Sequence, residues 1–199
     1  MITRKEMTRM LLKEGLLSCL ANNSFESVTV TSLCKASGIT RSTFYLHYSN
    51  IMEIVDDLVD DAIAYSKPGM VDNNNLQTIA NTLSAASNSV LLREAYDSIF
   101  DRLPLCQRII RHKKYLPLFL DEQISEYVLQ RIIGREKDRQ GLVMAEALGI
   151  SFDVGVSVFV FLVHGLYAVN KQYKWSQSDE WLEAQKIIFE LVYRGLQSK

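Results

Sequence analysis

Residues Val28–Asn50 read VTVTSLCKASGITRSTFYLHYSN. The pattern predicts two short helices that meet at Gly38. Thr29 or Thr31 can cap the first, because a side-chain hydroxyl accepts from an otherwise unpaired N–H. Val30, Leu33 and Cys34 face inward on it. Gly38 stands where the chain must turn sharply, and a residue without Cβ tolerates a positive φ there. Thr40 caps the second helix, over Arg41–Tyr48, whose Phe44 and Tyr48 lie four apart and share a core-facing side. The remaining sides of that helix carry hydroxyls, an Arg, a Tyr and a His, and no acid. A helix that rests one face against nucleic acid needs this composition.

Charge along the chain is uneven in the same sense. Residues 1–50 hold six Lys and Arg against three acids, and residues 51–61 hold five acids without a Lys or Arg. The net charge of the 199-residue chain is only -1, which excludes a polybasic coat but leaves room for a local basic patch. A hydrophobic share of 48% and a charged share of 23% are those of a soluble globular protein. The length allows one or two domains. Met1 is followed by polar and charged residues and not by an apolar signal segment, and Val154–Val169 is too short and interrupted for a membrane span. A cytoplasmic protein without membrane attachment is expected.

Outward from the opening stretch, apolar residues recur at three and four almost everywhere, which predicts an all-α fold. The first helix is expected over Arg4–Asn22, with Thr3 and Glu6 spaced as a capping box. A fourth helix begins at Ser49 or Asn50, where Asn50 and Glu53 repeat that spacing. Ser66-Lys67-Pro68-Gly69 and the Asn run at 73–75 break the pattern. This places one domain at 1–65 and a second helical domain at 66–199. Further helices are predicted near 76–88, 90–102, 105–113, 117–133, 140–148, 152–173 and 179–196, with Pro104, Gly134 and Gly149 at joints.

Phe25-Glu26-Ser27-Val28-Thr29-Val30, followed by Ala36-Ser37-Gly38-Ile39-Thr40-Arg41-Ser42-Thr43-Phe44-Tyr45-Leu46-His47-Tyr48-Ser49-Asn50, resembles the N-terminal helix-turn-helix domain of the tetracycline-repressor-like (TetR) family. The motif covers about a quarter of the chain. The resemblance implies an all-α, homodimeric, ligand-responsive transcriptional regulator, usually a repressor, bound to a palindromic double-stranded DNA operator. It implies that Thr40, Arg41, Ser42 and Thr43 face bases, and that Thr31, Tyr45 and His47 meet phosphates. The residue types suit those roles. Arg bonds guanine O6 and N7 together, Ser and Thr bond either base class, and the Thr methyl can touch a thymine methyl. Ile51 departs from the family, which commonly has a Lys there. Backbone contact would then depend more on Arg41 and on Arg4, Lys5 and Arg9.

The second domain is expected to hold the effector and the dimer interface. Phe152–Tyr173 is apolar on nearly every side and must be covered all round. With the amphipathic 179–196 it would form half of a four-helix bundle. The interface is expected at Phe159, Val163 and Leu166 on the first helix, and at Trp181, Ile188, Leu191 and Val192 on the second. Candidate pocket residues for an unknown small-molecule effector are Tyr96, Phe100, His112 and Phe119, then Tyr127, Phe161, His164 and Tyr167.

Other functional classes fit less well. His47, His112 and His164 lie in different elements without metal-ligand spacing, and Cys19, Cys34 and Cys106 form no CxxC pair. Gly-rich phosphate loops and nucleophile motifs are not found. An enzyme, a metal or a cofactor is therefore not expected. The nearest rival is a helical protein-interaction module that has lost specific DNA binding.

Overall fold

Thr3 caps the first helix as expected: its hydroxyl accepts from Glu6 N at 3.2 Å, and the Glu6 carboxylate accepts from Thr3 N at 2.7 Å. This computed structural model describes residues 3–65, 75–103, 107–108 and 113–197. Among them are ten α-helices, two 3₁₀ turns (Phe25–Ser27 and Phe100–Arg102) and no strand. The fold is all-α.

The chain divides into two compact units, Met1–Tyr65 with His112–Ile132, and Ser66–Arg111 with Ile133–Lys199. The first contains α1 (Arg4–Leu20), α2 (Val30–Ser37), α3 (Arg41–Tyr45) and α4 (Ile51–Tyr65). It also contains α7 (Pro117–Leu120) and the start of α8 (Ser125–Leu148). Its core is built from Leu12 and Leu16 of α1, Leu33 of α2, Phe44 of α3, and Ile54 and Leu58 of α4, all fully buried. Each such side chain contributes about 1.5–3 kcal/mol relative to exposure. Gly15 lets α1 and α2 cross closely, since a Cβ there would lie 2.9 Å from Ser37 Cβ.

Residues from the long second domain expected at 66–199 are thus part of the first unit. The reason is polar as well as apolar. The Asp121 carboxylate accepts from Phe25 N at 2.7 Å, and the Tyr127 hydroxyl donates to Asp56 at 2.7 Å. Arg131 Nε lies 2.8 Å from the same Asp56, as an ion pair whose N–H is not aimed at the oxygen. Leu118, Phe119, Val128 and Leu129 are buried.

The second unit contains α5 (Asn75–Ser84), α6 (Ser89–Ser98), the end of α8, α9 (Phe152–Gln172) and α10 (Asp179–Gln197). Asn88, expected as the end of a helix, instead caps α6, its Oδ1 accepting from Leu91 N at 2.9 Å. Helices α5 and α6 pack on α10. A glycine crossing joins α8 to α9. A Cβ on Gly155 would meet the Gly141 carbonyl oxygen, and a Cβ on Gly141 would lie 3.2 Å from the Val156 backbone.

Two expectations fail on α8. Gly134 does not mark a joint, and the helices expected at 117–133 and 140–148 are not separate: α8 runs unbroken from Ser125 to Leu148. One glycine costs a helix about 1 kcal/mol, less than the burial of Ile132, Ile133, Met144 and Ala145 on either side returns. Gly149, at φ 62°, does end the helix. The helix expected at 105–113 lies mostly outside the described residues, as do Pro104, Cys106 and His112.

Candidate nucleic-acid interface

The α2–α3 pair is assembled by caps. Thr29, not Thr31, caps α2: its hydroxyl accepts from Ser32 N at 3.1 Å, and Ser32 Oγ accepts from Thr29 N at 2.9 Å. Gly38 ends α2 at φ 67°, in the left-handed region, with its N–H donating to Cys34 O. Thr40 caps α3, accepting from Thr43 N at 3.2 Å. Its hydroxyl also lies 3.0 Å from Ser42 Oγ and 2.9 Å from Thr43 Oγ1. The three hydroxyls expected to face bases are thus bonded to one another, and each can turn outward only by leaving that cluster.

Core anchors fix the direction of α3. Phe44 and Tyr48 are buried, with ring centroids 6.3 Å apart, so Arg41, Ser42 and Tyr45 are exposed on other sides. Thr31 and Thr40 are exposed, and Thr43 and His47 are half-buried. Nδ1 of His47 is buried and has no hydrogen-bond partner among the described residues. All seven residues therefore lie on one α2–turn–α3 segment, and Glu26 and Glu53 are the nearest acids on either side in sequence. Leu46, not singled out in the sequence, is 81% exposed beside Tyr45. An apolar residue between two polar ones in a predicted recognition helix was the available signal.

Tyr48 does more than fill the core. Its hydroxyl donates to Asp57 Oδ2 at 2.5 Å and accepts from Arg9 Nε at 3.2 Å. Arg9 is also ion-paired to Asp57, its Nε lying 3.1 Å from Oδ2. Burial alone would raise the Asp57 carboxyl, but the bonds from Arg9 and Tyr48 outweigh it and hold the group below its ordinary value. Burial and the bond to Asp57 push the Tyr48 phenol well up. Arg9, expected as a cation for the DNA backbone, is committed here to joining α1 to α4 and to Tyr48, three residues beyond the end of α3. Arg4 and Lys5 remain exposed. Ile51 is half-buried at the start of α4, which Asn50 caps through Glu53 N at 3.1 Å.

The first unit also carries a groove of about 480 Å³ lined by Glu6, Lys13, Glu14, Asp61 and Lys114 with Met10 and Leu58. Its charges are largely matched already: Lys13 pairs with Asp61, Lys114 lies 3.8 Å from Glu14, and Glu6 serves the α1 cap.

The expected effector residues fall in both units. Phe119 and Tyr127 belong to the first and are used in its packing and hydrogen bonding. Tyr96, Phe100, Phe161, His164 and Tyr167 belong to the second. Tyr96 is buried edge-on to Trp181 at 5.2 Å, and Tyr167 edge-on to Trp175 at 5.5 Å. Phe161 is 73% exposed and lines nothing internal. Three polar residues missed in the sequence lie fully buried in this unit: Gln107, Asn170 and Gln185. The signal was a polar residue on an otherwise apolar face, at Asn170 within α9 and at Gln185 one turn beyond Trp181.

The expected interface residues also divide. Phe159, Leu166 and Trp181 are buried within the chain itself, so they are core and have no surface left to give a partner. Val163, Ile188 and Val192 are half-buried, and Leu191 is 66% exposed. The exposed apolar side chains of these two helices are instead Phe152, Val154 and Phe161 of α9 and Ile187 and Leu191 of α10.

Comparison with protein-family models, with curated proteins and with solved structures gives no match for this chain.

Proposed function

We propose that this chain is a homodimeric, ligand-responsive transcriptional regulator of the tetracycline-repressor-like kind, which reads a palindromic DNA operator with α3. The observation that carries the reading is the α2–turn–α3 segment. Its core side is fixed by Leu33, Phe44 and Tyr48, and its outer side presents Thr31, Thr40, Arg41, Ser42 and Tyr45 without an acid between Glu26 and Glu53. A helix-turn-helix works by this division: one face braces the fold, and the second helix enters the major groove. Arg41 is the strongest base reader of the set, worth about 1–3 kcal/mol in discrimination. Arg4, Lys5 and Lys35 supply backbone charge.

A single five-residue recognition helix gives modest specificity, so a second copy is part of the proposal. Val154 and Phe161, seven apart on α9, and Ile187 and Leu191, four apart on α10, are apolar surface that a symmetric partner would cover. Helix α9 is also long and apolar enough, by length and composition, to cross a membrane. A second copy is the better occupant. Helix α9 has a buried side packed on α8 through Gly155, and its outer half carries the polar Ser157, His164 and Lys171.

Selection of binding sites from random duplexes by the purified chain tests the reading. A recovered palindrome supports it, and its half-site spacing gives the distance between the two recognition helices. With Arg4, Lys5 and Lys35 of two protomers on phosphates, log K should fall against log salt with a slope of about −5. The protein-interaction module is favoured by one observation, the exposed Leu46 in the middle of the proposed reading face. Enrichment of no sequence at any salt concentration leaves two explanations, a ligand that holds the two heads apart or that alternative, and repeating the selection with refolded, ligand-free chain separates them.

A further inference from the structure

Helix α9 is apolar on nearly every side, yet its last turn holds Asn170 at 0% exposure. The Trp181 indole Nε1 donates to Asn170 Oδ1 at 3.0 Å. That bond fixes the amide: the oxygen faces the indole, and the NH2 group points elsewhere. Asn170 Nδ2 is buried and has no acceptor among the described residues. One turn along α10 from Trp181 stands Gln185, also at 0% exposure. Its Oε1 accepts from Gln107 Nε2 at 2.8 Å, and Gln107 Oε1 accepts from the Tyr96 hydroxyl at 3.2 Å. Gln185 Nε2 is likewise buried without an acceptor among the described residues. Residues four apart on a helix have Cβ atoms about 5–6 Å from each other. Trp181 and Gln185 are so spaced, so Gln185 follows, by one helical turn, the residue whose indole holds Asn170.

The adjoining backbone is strained. Lys174 and Trp175 have φ of 50° and 56°, a region that bulky residues rarely enter. Trp175 N donates to Asn170 O at 2.8 Å, so the strained turn is tied directly to the residue with the unanswered amide. Buried donors without acceptors destabilise a fold, and so does left-handed backbone at a tryptophan. Such features gather where a protein clamps a ligand.

We infer that Asn170 and Gln185 form a binding site for an uncharged, largely apolar ligand that bears carbonyl oxygens. Two amide donors call for acceptors. The polar groups named here are amides, a phenol and an indole, none of them cationic. A carboxylate would be buried among these groups without a counter-charge from any of them, at high cost. The rings of Tyr96 and Trp181 offer the ligand an apolar wall. Asn170, Gln185 and Trp181 have no exposed surface in this arrangement, so entry requires a local movement of the fold. A ligand that binds only after that movement favours the opened arrangement, which is what a switch requires. The consequence for DNA rests on the regulator reading, whereas ligand binding itself does not.

The test uses the full chain and matched fragments: neutral cyclic ketones, lactones and lactams such as 1-indanone, their deoxygenated hydrocarbons such as indane, and carboxylates such as indane-1-carboxylate. Side-chain amide resonances are followed by NMR, with those of Asn170 and Gln185 assigned by their loss in Asn170→Leu and Gln185→Met. Carbonyl compounds should shift these two NH2 groups and the Trp181 indole N–H. The hydrocarbons should bind about tenfold more weakly, the ratio that one ordinary hydrogen bond produces. Carboxylates should not bind. Either variant should narrow the ketone-to-hydrocarbon ratio, and Gln185→Met serves if Asn170→Leu does not fold. Equal affinity of ketones and hydrocarbons for the unmodified chain overturns the proposal, as does failure of the whole carbonyl series to move either NH2 group. Carbonyl binding that leaves affinity for a selected operator unchanged keeps the site and removes its role as the switch.

Discussion

Gly134 and Gly155 both lie inside helices of the second unit, and the same substitution at each should act with opposite sign. Gly134, in α8, is exposed, and a Cβ there meets nothing within 4 Å. Gly134→Ala should therefore gain the ordinary helix preference of alanine, about 0.8–1.0 kcal/mol. Gly155, in α9, receives the same intrinsic gain. Its added Cβ, however, would fall on the Gly141 carbonyl oxygen and 2.9 Å from Ala145 N. Both obstacles are backbone of a rigid helix, so α8 and α9 must separate by roughly 1 Å and lose packing along the crossing. Overpacking costs about 1–3 kcal/mol, and a clash with helix backbone falls in the upper part of that range, about 2–3 kcal/mol, which leaves a net loss of about 1–2 kcal/mol. For a protein of this size 1 kcal/mol moves Tm by about 2–4 °C. Thermal unfolding followed by far-UV circular dichroism should show Gly134→Ala above the parent and Gly155→Ala below it. A Gly155→Ala chain as stable as the parent would refute the close crossing. A Gly134→Ala chain less stable than the parent would refute the unbroken α8.

Asp57→Asn should destabilise the first unit by about 1–2 kcal/mol at neutral pH, since it weakens a charge-assisted bond that is partly screened by solvent. The folded carboxyl lies below its unfolded value, so its contribution is complete above the unfolded range, about pH 4, and disappears as pH falls through the folded value. Urea unfolding across that window should show a shallower acid decline for the variant. Arg9→Ala should lower stability in the same assay, and the salt slope of DNA binding should stay as in the parent. Phe161→Glu, at a side chain already in solvent, should leave the fold within about 0.5 kcal/mol while shifting sedimentation toward a monomer. Arg41→Ala should lose preference for the selected duplex by about 1–3 kcal/mol and keep weak, salt-sensitive binding to any DNA.

Local chemistry was legible in the sequence. The caps at Thr3 and Thr40 and the turn at Gly38 each depend on residues within a few positions of one another. What depended on distant partners was not. Arg9 reads as a free cation until α4 brings Asp57 beside it, 48 residues away. Gln107 and Gln185 are 78 residues apart and read as surface amides until packing buries both. Gly134 reads as a joint because its local cost is visible, while the burial that outweighs it comes from other elements. An apolar helix such as α9 does not disclose which side its own chain covers, so Phe159 and Leu166 were expected outside and Phe161 inside. Residues 113–132 read as part of the second domain because their bonds to Phe25 and Asp56 cross most of the first unit's sequence.

The chain has two tryptophans, Trp175 and Trp181, and both are buried in the second unit, while the first has only tyrosine and phenylalanine. The two units are therefore optically distinct without any label. Selective indole excitation interrogates the second unit alone, at the turn and helix around Asn170. The far-ultraviolet signal averages over both. A chain whose two units melt separately would show the two signals parting company, and one that melts as a whole would show them superimposed.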